Sequence, residues 1–184
     1  MIIFLNYIIV FSYLTLLIEL IIFPVESQGS TFRILKGAKI NYLEKTILVA
    51  LNTFVLISFV YPLANLYFKW TLLSTSYWMI GIGIILIVFG RWLSMGAMIQ
   101  LRSNNKILHT DKYFKMTRNP NIDGTITFLI GIWFLMPSIA YFTASILVFL
   151  YLKNRSKMEE EYLLEIFDKK YIDYKNSTPN SLYI

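Results

Sequence analysis

The chain has 184 residues, of which 57% are hydrophobic and only 15% charged, with a formal charge of +6 and a mean hydropathy of +0.58. This composition excludes an ordinary water-soluble domain and points to a membrane protein. The absence of cysteine and the single histidine exclude disulfide frameworks, thiolate chemistry and histidine-rich metal sites; the positive charge lies between apolar runs, where it sets topology against anionic lipid instead of marking a nucleic-acid surface.

A bilayer core about 30 Å thick needs roughly 20 apolar helical residues. Ile2 to Phe23, Thr46 to Phe68 and Tyr77 to Ile99 meet that length, interrupted by single polar residues such as Asn6, Glu19, Asn52, Asn65 and Arg91. The first run lacks a basic leading segment and a small-x-small cleavage site, so it reads as a span and not as a signal peptide. Thr125 to Leu152 is a longer apolar stretch with Pro137 near its middle, either one kinked span or a tight hairpin of two helices.

Basic residues choose between these readings, because lysine and arginine collect on the cytoplasmic side. Arg33, Lys36, Lys39 and Lys45 follow the first span, Lys69 alone follows the second, and Arg102, Lys106, Lys112, Lys115 and Arg118 follow the third. Lys153, Arg155, Lys157, Lys169, Lys170 and Lys175 come after the fourth region and should share a side with the preceding group, which a hairpin allows. The expected fold is therefore an all-α integral membrane protein with about five transmembrane helices, an outside N-terminus and short hairpin helices, either tilted or only partly inserted. From Asn154 onward the chain is charged, yet Met158, Tyr162, Ile166, Phe167, Tyr171 and Tyr174 recur at helical spacing. This predicts a cytoplasmic amphipathic helix with Glu161, Glu165, Asp168 and Lys169 facing water, then an irregular tail around Pro179. Residues 1–99 thus supply three membrane helices and their loops, and residues 100–184 form one catalytic unit of loop, hairpin and C-terminal helix.

Polar chemistry concentrates in two segments flanking the hairpin, Gln100 to Gly124 and Lys153 to Tyr174, which the hairpin can bring together. In the first, Pro120 suits an early helical position and Asn119 a cap, leaving N–H groups that favour an anionic ligand; taken alone, the pattern fits better an ordinary helix start beside a juxtamembrane arginine. In the second, Arg155 and Glu159 border the inward face, where a cation and an anion can hold a carboxylate and an amine or ribose. The plainer alternative is an exposed i,i+4 pair, with Ser156 and Glu159 at capping-box spacing. Gly81 and Gly83 lack the third glycine and acid of a dinucleotide site. His109, with only Asp111 near it in sequence, reads as solvated. Arg91 either snorkels to the headgroups or faces the polar site, and Gly90, Ser94 and Ala97 permit close helix packing.

The two segments resemble the integral-membrane methyltransferases that include isoprenylcysteine carboxyl methyltransferases and phospholipid N-methyltransferases. The resemblance covers roughly Gly90 to Pro179. It rests on Arg118-Asn119-Pro120 before the hairpin and, behind it, Glu159-Glu160-Glu161-Tyr162-Leu163, Phe167-Asp168, Tyr171 and Tyr174. It implies S-adenosylmethionine as cofactor, bound by Lys106, Ile107, Leu108, His109, Phe114, Arg118, Asn119, Pro120, Asn121, Ile122 and Glu159. Arg155 would face the substrate carboxylate, and Glu160 would accept a proton if the substrate were an amine. Four positions depart from the family pattern: Ile122 replaces a tyrosine, Lys106 a histidine, and Lys112 and Asp168 each a glycine. The implied reaction is carboxyl O-methylation of an isoprenylcysteine-like small molecule or peptide within membrane lipid. Phospholipid amine N-methylation, an NADPH-dependent membrane reductase and a non-catalytic structural protein are the alternatives.

Overall fold

Apolar runs without proline make helices, and the computed structural model of this chain follows that rule closely. It describes residues 2–22, 76–103 and 108–182, with Ala64, Tyr67, Phe68 and Leu73 between them. Apart from those positions, the expected second span and the basic loop before it lie outside the described residues, as do Lys106 and Ile107. The regular elements among the described residues are all helical: α1 (Ile2–Ile22), α2 (Tyr77–Ser103), α3 (Tyr113–Met116), α4 (Pro120–Leu135), α5 (Ile139–Phe167) and α6 (Lys169–Ser177).

Pro137 falls in the three-residue connection between α4 and α5, so the longer apolar stretch is a hairpin and not a kinked single helix. Helix α4 has 16 residues, about 24 Å at 1.5 Å per residue, shorter than a bilayer core. Helix α5 differs from expectation, because it does not stop where the charged residues begin. With neither proline nor glycine between Ile139 and Phe167, nothing breaks the hydrogen-bond ladder. The hairpin helix therefore runs on and carries Glu159 and Glu160 beyond its apolar part. The break comes at Asp168, whose φ of 43° turns the chain into α6, so the expected amphipathic helix is two pieces. Glu161, Glu165, Asp168 and Lys169 are exposed as expected; Tyr171 and Tyr174 are buried, whereas Ile166 is not.

Among the described elements, the antiparallel pair α2 and α4 forms the most extensive helix contact. Its seam is built on Gly83 and Gly90 of α2 and on Gly124 and Gly131 of α4, each pair spaced by one heptad. Residues seven apart stay on one side of a helix that coils gently about its partner, so the four glycines bring the two backbones together at two levels. A methyl group on Gly90 would lie 2.6 Å from the Gly124 carbonyl oxygen, and one on Gly131 would lie 2.8 Å from the Ile87 amide nitrogen. Ile87, Phe128, Leu129, Ile132 and Leu135 fill the space around the seam. Helix α1 packs against this pair through Leu5, Ile9 and Tyr13. The Tyr13 ring meets Phe128 edge-on at 5.6 Å, and its hydroxyl pairs with that of Tyr141 at 3.2 Å.

Arg91 takes neither of its expected places. It is only 9% exposed, its Nη2 donates to the Thr15 carbonyl of α1 at 3.1 Å, and its guanidinium lies 5.8 Å from the Phe128 ring centroid. In an apolar surrounding a guanidinium takes whatever acceptors and π-faces it can reach. Here those include the Thr15 carbonyl of an adjacent helix and a core phenylalanine. Arg91 ties α1 to the α2–α4 pair.

Candidate active site

The site lies where the non-helical link between α3 and α4 meets the ends of α5 and α6. Its floor is set by α2. Gln100 Nε2 donates to Asp111 Oδ1 at 2.6 Å and to the Asp111 carbonyl at 3.2 Å, fixing the turn that starts α3. Gly96 leaves the space that the Tyr113 ring occupies, and Trp92 meets that ring edge-on at 5.1 Å. His109, expected to be solvated, is half-buried and stacks on Phe114 with ring centroids 5.9 Å apart.

From Thr117 to Asn119 the backbone leaves helical geometry, and then Pro120 opens α4 at its first position, as its fixed φ and missing N–H favour. Asn119 does not cap the helix with its side chain. Its Nδ2 donates instead to the Asn180 carbonyl at 3.1 Å and to Asn180 Oδ1 at 3.0 Å, because the C-terminal tail offers two acceptors outside the helix. Asn121 Oδ1 accepts from Ser94 Oγ at 2.7 Å, anchoring the first turn of α4 to α2. Ile122 is half-buried in that turn.

The two polar segments meet directly. Arg118 Nη1 lies 2.9 Å from Glu160 Oε1, with the two side chains 10% and 15% exposed. Lys175 Nζ lies 3.1 Å from the other oxygen, Glu160 Oε2. The Tyr174 hydroxyl donates to the Phe114 carbonyl at 2.6 Å, which closes α6 over α3. Arg118 Nε is buried with no hydrogen-bond partner, a donor left over for an anionic group. Beside the ion pair, Lys157, Glu160, Glu161, Leu164, Tyr171 and Lys175 line an open cleft of about 220 Å³. Glu159 is half-buried one residue before Glu160, and Arg155 lies in the same helix, its side chain outside the described residues. Leu108 and His109 are half-buried at the start of the α2–α3 link, and Pro120 is buried.

Burial is the first cause that pushes the Tyr171 phenol up to about 12, and the negative charge of Glu160 adds to it, while Arg118 offsets part of the rise. The Tyr174 phenol is raised further, again first by burial and then by Tyr171. The raised folded value means that the fold retains the Tyr171 proton while the unfolded chain loses it. Stability from this group is therefore fully present below about pH 10 and is lost as pH rises from there towards 12. Chemical unfolding of the full chain followed across that range should show a smaller alkaline loss in Tyr171→Phe than in the parent. Equal slopes would show that Tyr171 does not carry the effect.

Two of these elements were beyond the reach of sequence reasoning. Asp123 is 1% exposed and accepts Ser181 Oγ at 2.6 Å and the Leu182 amide at 3.0 Å; an acidic residue in a first helical turn was its sole signal. Lys175 was counted only for topology.

A family model described as phospholipid methyltransferase matches residues 78–170, half of the chain, from the start of α2 into α6. The chain belongs to the phospholipid methyltransferase family. It is also similar to the protein-S-isoprenylcysteine O-methyltransferases of Mus musculus and Rattus norvegicus. Each is 25% identical over 134 residues, 66% of this chain, and the match covers 47% of the mouse and 46% of the rat protein. The chain thus spans about half the length of the curated relatives it matches. No solved structure matches it.

Membership gives two of the departures a physical meaning. Lys112 and Asp168, which the resemblance sets against glycines, are the two non-glycine residues among those described with positive φ, 50° and 43°. Their ψ values of −114° and −121° place both where a Cβ is crowded by its own backbone. Each turn bears the strain of a side chain, of the order of 1–3 kcal/mol. Asp168 makes no side-chain cap to α6, so glycine there removes strain without removing a bond. Asp168→Gly and Lys112→Gly should each stabilise the chain by about 1 kcal/mol, seen as a melting temperature several degrees higher in detergent. An unchanged or lower melting temperature would show that the turns relax around these side chains. Both side chains are exposed, so solvent screens the lysine's charge from the site.

Proposed function

We propose that this chain is an S-adenosylmethionine-dependent membrane methyltransferase that modifies a lipophilic substrate, with carboxyl O-methylation of an isoprenylcysteine-like molecule as its reaction. The observation that carries this reading is the buried Arg118–Glu160 contact at 2.9 Å, which joins the family's two polar motifs into one site. The leftover Arg118 Nε donor suits a carboxylate, and the aromatic stack of His109 on Phe114 offers a flat apolar surface for a purine. The described residues suit the cofactor: Arg118 for its carboxylate, Glu159 for its ammonium or ribose, and Leu108, His109, Phe114, Asn119, Pro120, Asn121 and Ile122 as walls; Lys106 and Ile107, outside the described residues, are further candidates from the resemblance.

When bound, S-adenosylmethionine supplies an electrophilic methyl group on a sulfonium. A carboxylate acceptor needs position and partial desolvation more than a base. Arg155 would align the acceptor's charge, and the helices would hold its lipid portion. The multi-pass topology and the cytoplasmic side of the site rest on the apolar runs and on the distribution of lysine and arginine. A membrane location is supported by α2, whose Tyr77–Leu101 portion is long and apolar enough to cross a membrane. It is further supported by the exposed large apolar side chains along α1 and α2: Phe4, Tyr7, Phe11, Ile18, Trp78, Ile85 and Trp92, a surface that lipid would cover. The family model's description as a phospholipid methyltransferase favours a second acceptor, a phospholipid amine. That nucleophile must be neutral, and Glu160 would then receive its proton.

Calorimetry of the detergent-purified full chain with S-adenosylmethionine and, separately, NADPH tests the reading, followed by methyl transfer to a farnesylated cysteine or to phosphatidylethanolamine vesicles. Saturable binding of S-adenosylmethionine and not NADPH, with transfer to the farnesylated cysteine, is the expected result. No binding of either cofactor would leave a non-catalytic membrane protein, and NADPH binding alone a reductase.

A further inference from the structure

The segment that carries the first motif holds its own shape only through the Asn119 amide, which donates to Thr117 Oγ1 at 3.2 Å, and needs further support. Thr117 is extended, with φ −158° and ψ 152°, and Asn119 has φ −126° and ψ 56°, so the Thr117–Asn119 stretch lies outside any helical ladder. Several of its other polar groups go to the last described residues of the chain. The Arg118 amide donates to the Pro179 carbonyl at 3.0 Å, and Thr117 Oγ1 to the Asn180 carbonyl at 3.2 Å. The Asn119 side chain reaches both acceptors of Asn180. One turn into α4, the buried Asp123 carboxylate receives Ser181 Oγ and the Leu182 amide.

Apolar burial does not explain this arrangement. Pro179 is exposed and Leu182 is 40% exposed, so the described residues of the tail bring little hydrophobic surface to the fold. What it brings is polar: a row of hydrogen bonds aimed at the motif, two of them on a buried carboxylate, where bonds to a charged acceptor are about twice as strong as neutral ones. Upstream the tail is held by α6, through Tyr174 on the Phe114 carbonyl and Lys175 on Glu160. The same short stretch of chain thus braces the motif loop, its arginine and the partner of that arginine.

We infer that the tail Thr178–Leu182 is a strap, and that Asp123, Asn180 and Ser181 are positioning residues that hold the Thr117–Asn121 loop in the form that receives the methyl donor. The inference rests on the function proposed above for this site. On that reading the strap fixes Arg118 and Asn119, which would face the donor, and itself touches only the loop and the first turn of α4. Loss of the strap should therefore weaken donor binding and leave the chemical step unchanged.

The test uses the full chain with Ser181→Ala, Asp123→Asn and Ser181→Thr, the first removing one bond at the half-buried end of the strap should Asp123→Asn fail to fold. Amide hydrogen exchange is read at Arg118 and Asn119, with Ile87 and Phe128 in the α2–α4 pair as internal references, alongside donor Kd, KM and kcat. Ser181→Ala is expected to speed exchange at the two loop amides by about tenfold and to raise donor Kd and KM by about the same factor, the effect of losing one bond to a charged acceptor. The reference amides and kcat should hold within about twofold, and Ser181→Thr, which restores the hydroxyl, should return all values to the parent's. Unchanged loop exchange, or faster exchange with unchanged donor affinity, would overturn the strap while leaving the methyltransferase reading intact. No donor binding by the unaltered chain would overturn that reading and the positioning role with it.

Discussion

Arg118→Ala is expected to abolish measurable methyl-donor binding and to lower stability together. The arginine and Glu160 are 10% and 15% exposed, so removing one partner leaves a charge that water reaches poorly. Breaking such a pair from one side costs about 3–5 kcal/mol. The low end applies here, because Lys175 remains at 3.1 Å from Glu160 Oε2 and is half-exposed. Stability and binding can be told apart. The apolar double variant Arg118→Met with Glu160→Leu removes both charges, which is often neutral for a buried pair, so it should recover much of the melting temperature and none of the donor affinity. Thermal unfolding in detergent and donor calorimetry on the same samples give both readouts. Unchanged donor affinity in Arg118→Ala would remove Arg118 from the site.

A second large effect is expected at the helix seam. In Gly124→Ala the added methyl would stand 2.6 Å from the Gly90 carbonyl oxygen and 2.6 Å from the Ser94 amide nitrogen. Both are backbone atoms and neither can rotate away, so α2 and α4 must separate. Overpacking of this kind costs about 1–3 kcal/mol, and the separation also strains the Ser94–Asn121 bond of 2.7 Å that seats the first turn of α4. Lower stability should therefore come with weaker donor binding, although Gly124 touches no ligand. Gly81 is the control: nothing lies within 4 Å of a Cβ there. Gly81→Ala should be neutral or gain up to about 1 kcal/mol of helix propensity. Melting temperatures that move equally in the two variants would show that the seam is not as tight as its geometry indicates.

The glycines were legible in part. Gly90 and Ser94 were read as permitting close packing from residue size alone, but their partner Gly124, and the facing of Gly83 by Gly131, could be chosen only once α2 and α4 were antiparallel and in register. Arg91 was visible as an anomaly within an apolar run, and its direction was not, because the Thr15 carbonyl that it bonds is 76 positions away. Lys112 and Asp168 stood out as residues in place of family glycines. The positive φ that explains those glycines belongs to the backbone of the folded turns.

By itself the sequence determined what depends on neighbours in the chain. Hydropathy and the absence of proline mark α1, α2 and the hairpin, Pro137 ends α4, Pro120 begins it, and two polar segments flank the apolar pair. Motif spacing determined the family. Tertiary structure decided which of those local features touch: that Asn119 turns to Asn180 instead of capping its helix, that Arg118 finds Glu160 and Glu160 also finds Lys175, and that Asp123 is sealed by the tail. Helical periodicity and hydropathy act over a few residues and are written in the order of side chains. A hydrogen bond or ion pair across some sixty residues depends on where two helix ends arrive, and that is set by the packing of every element between them.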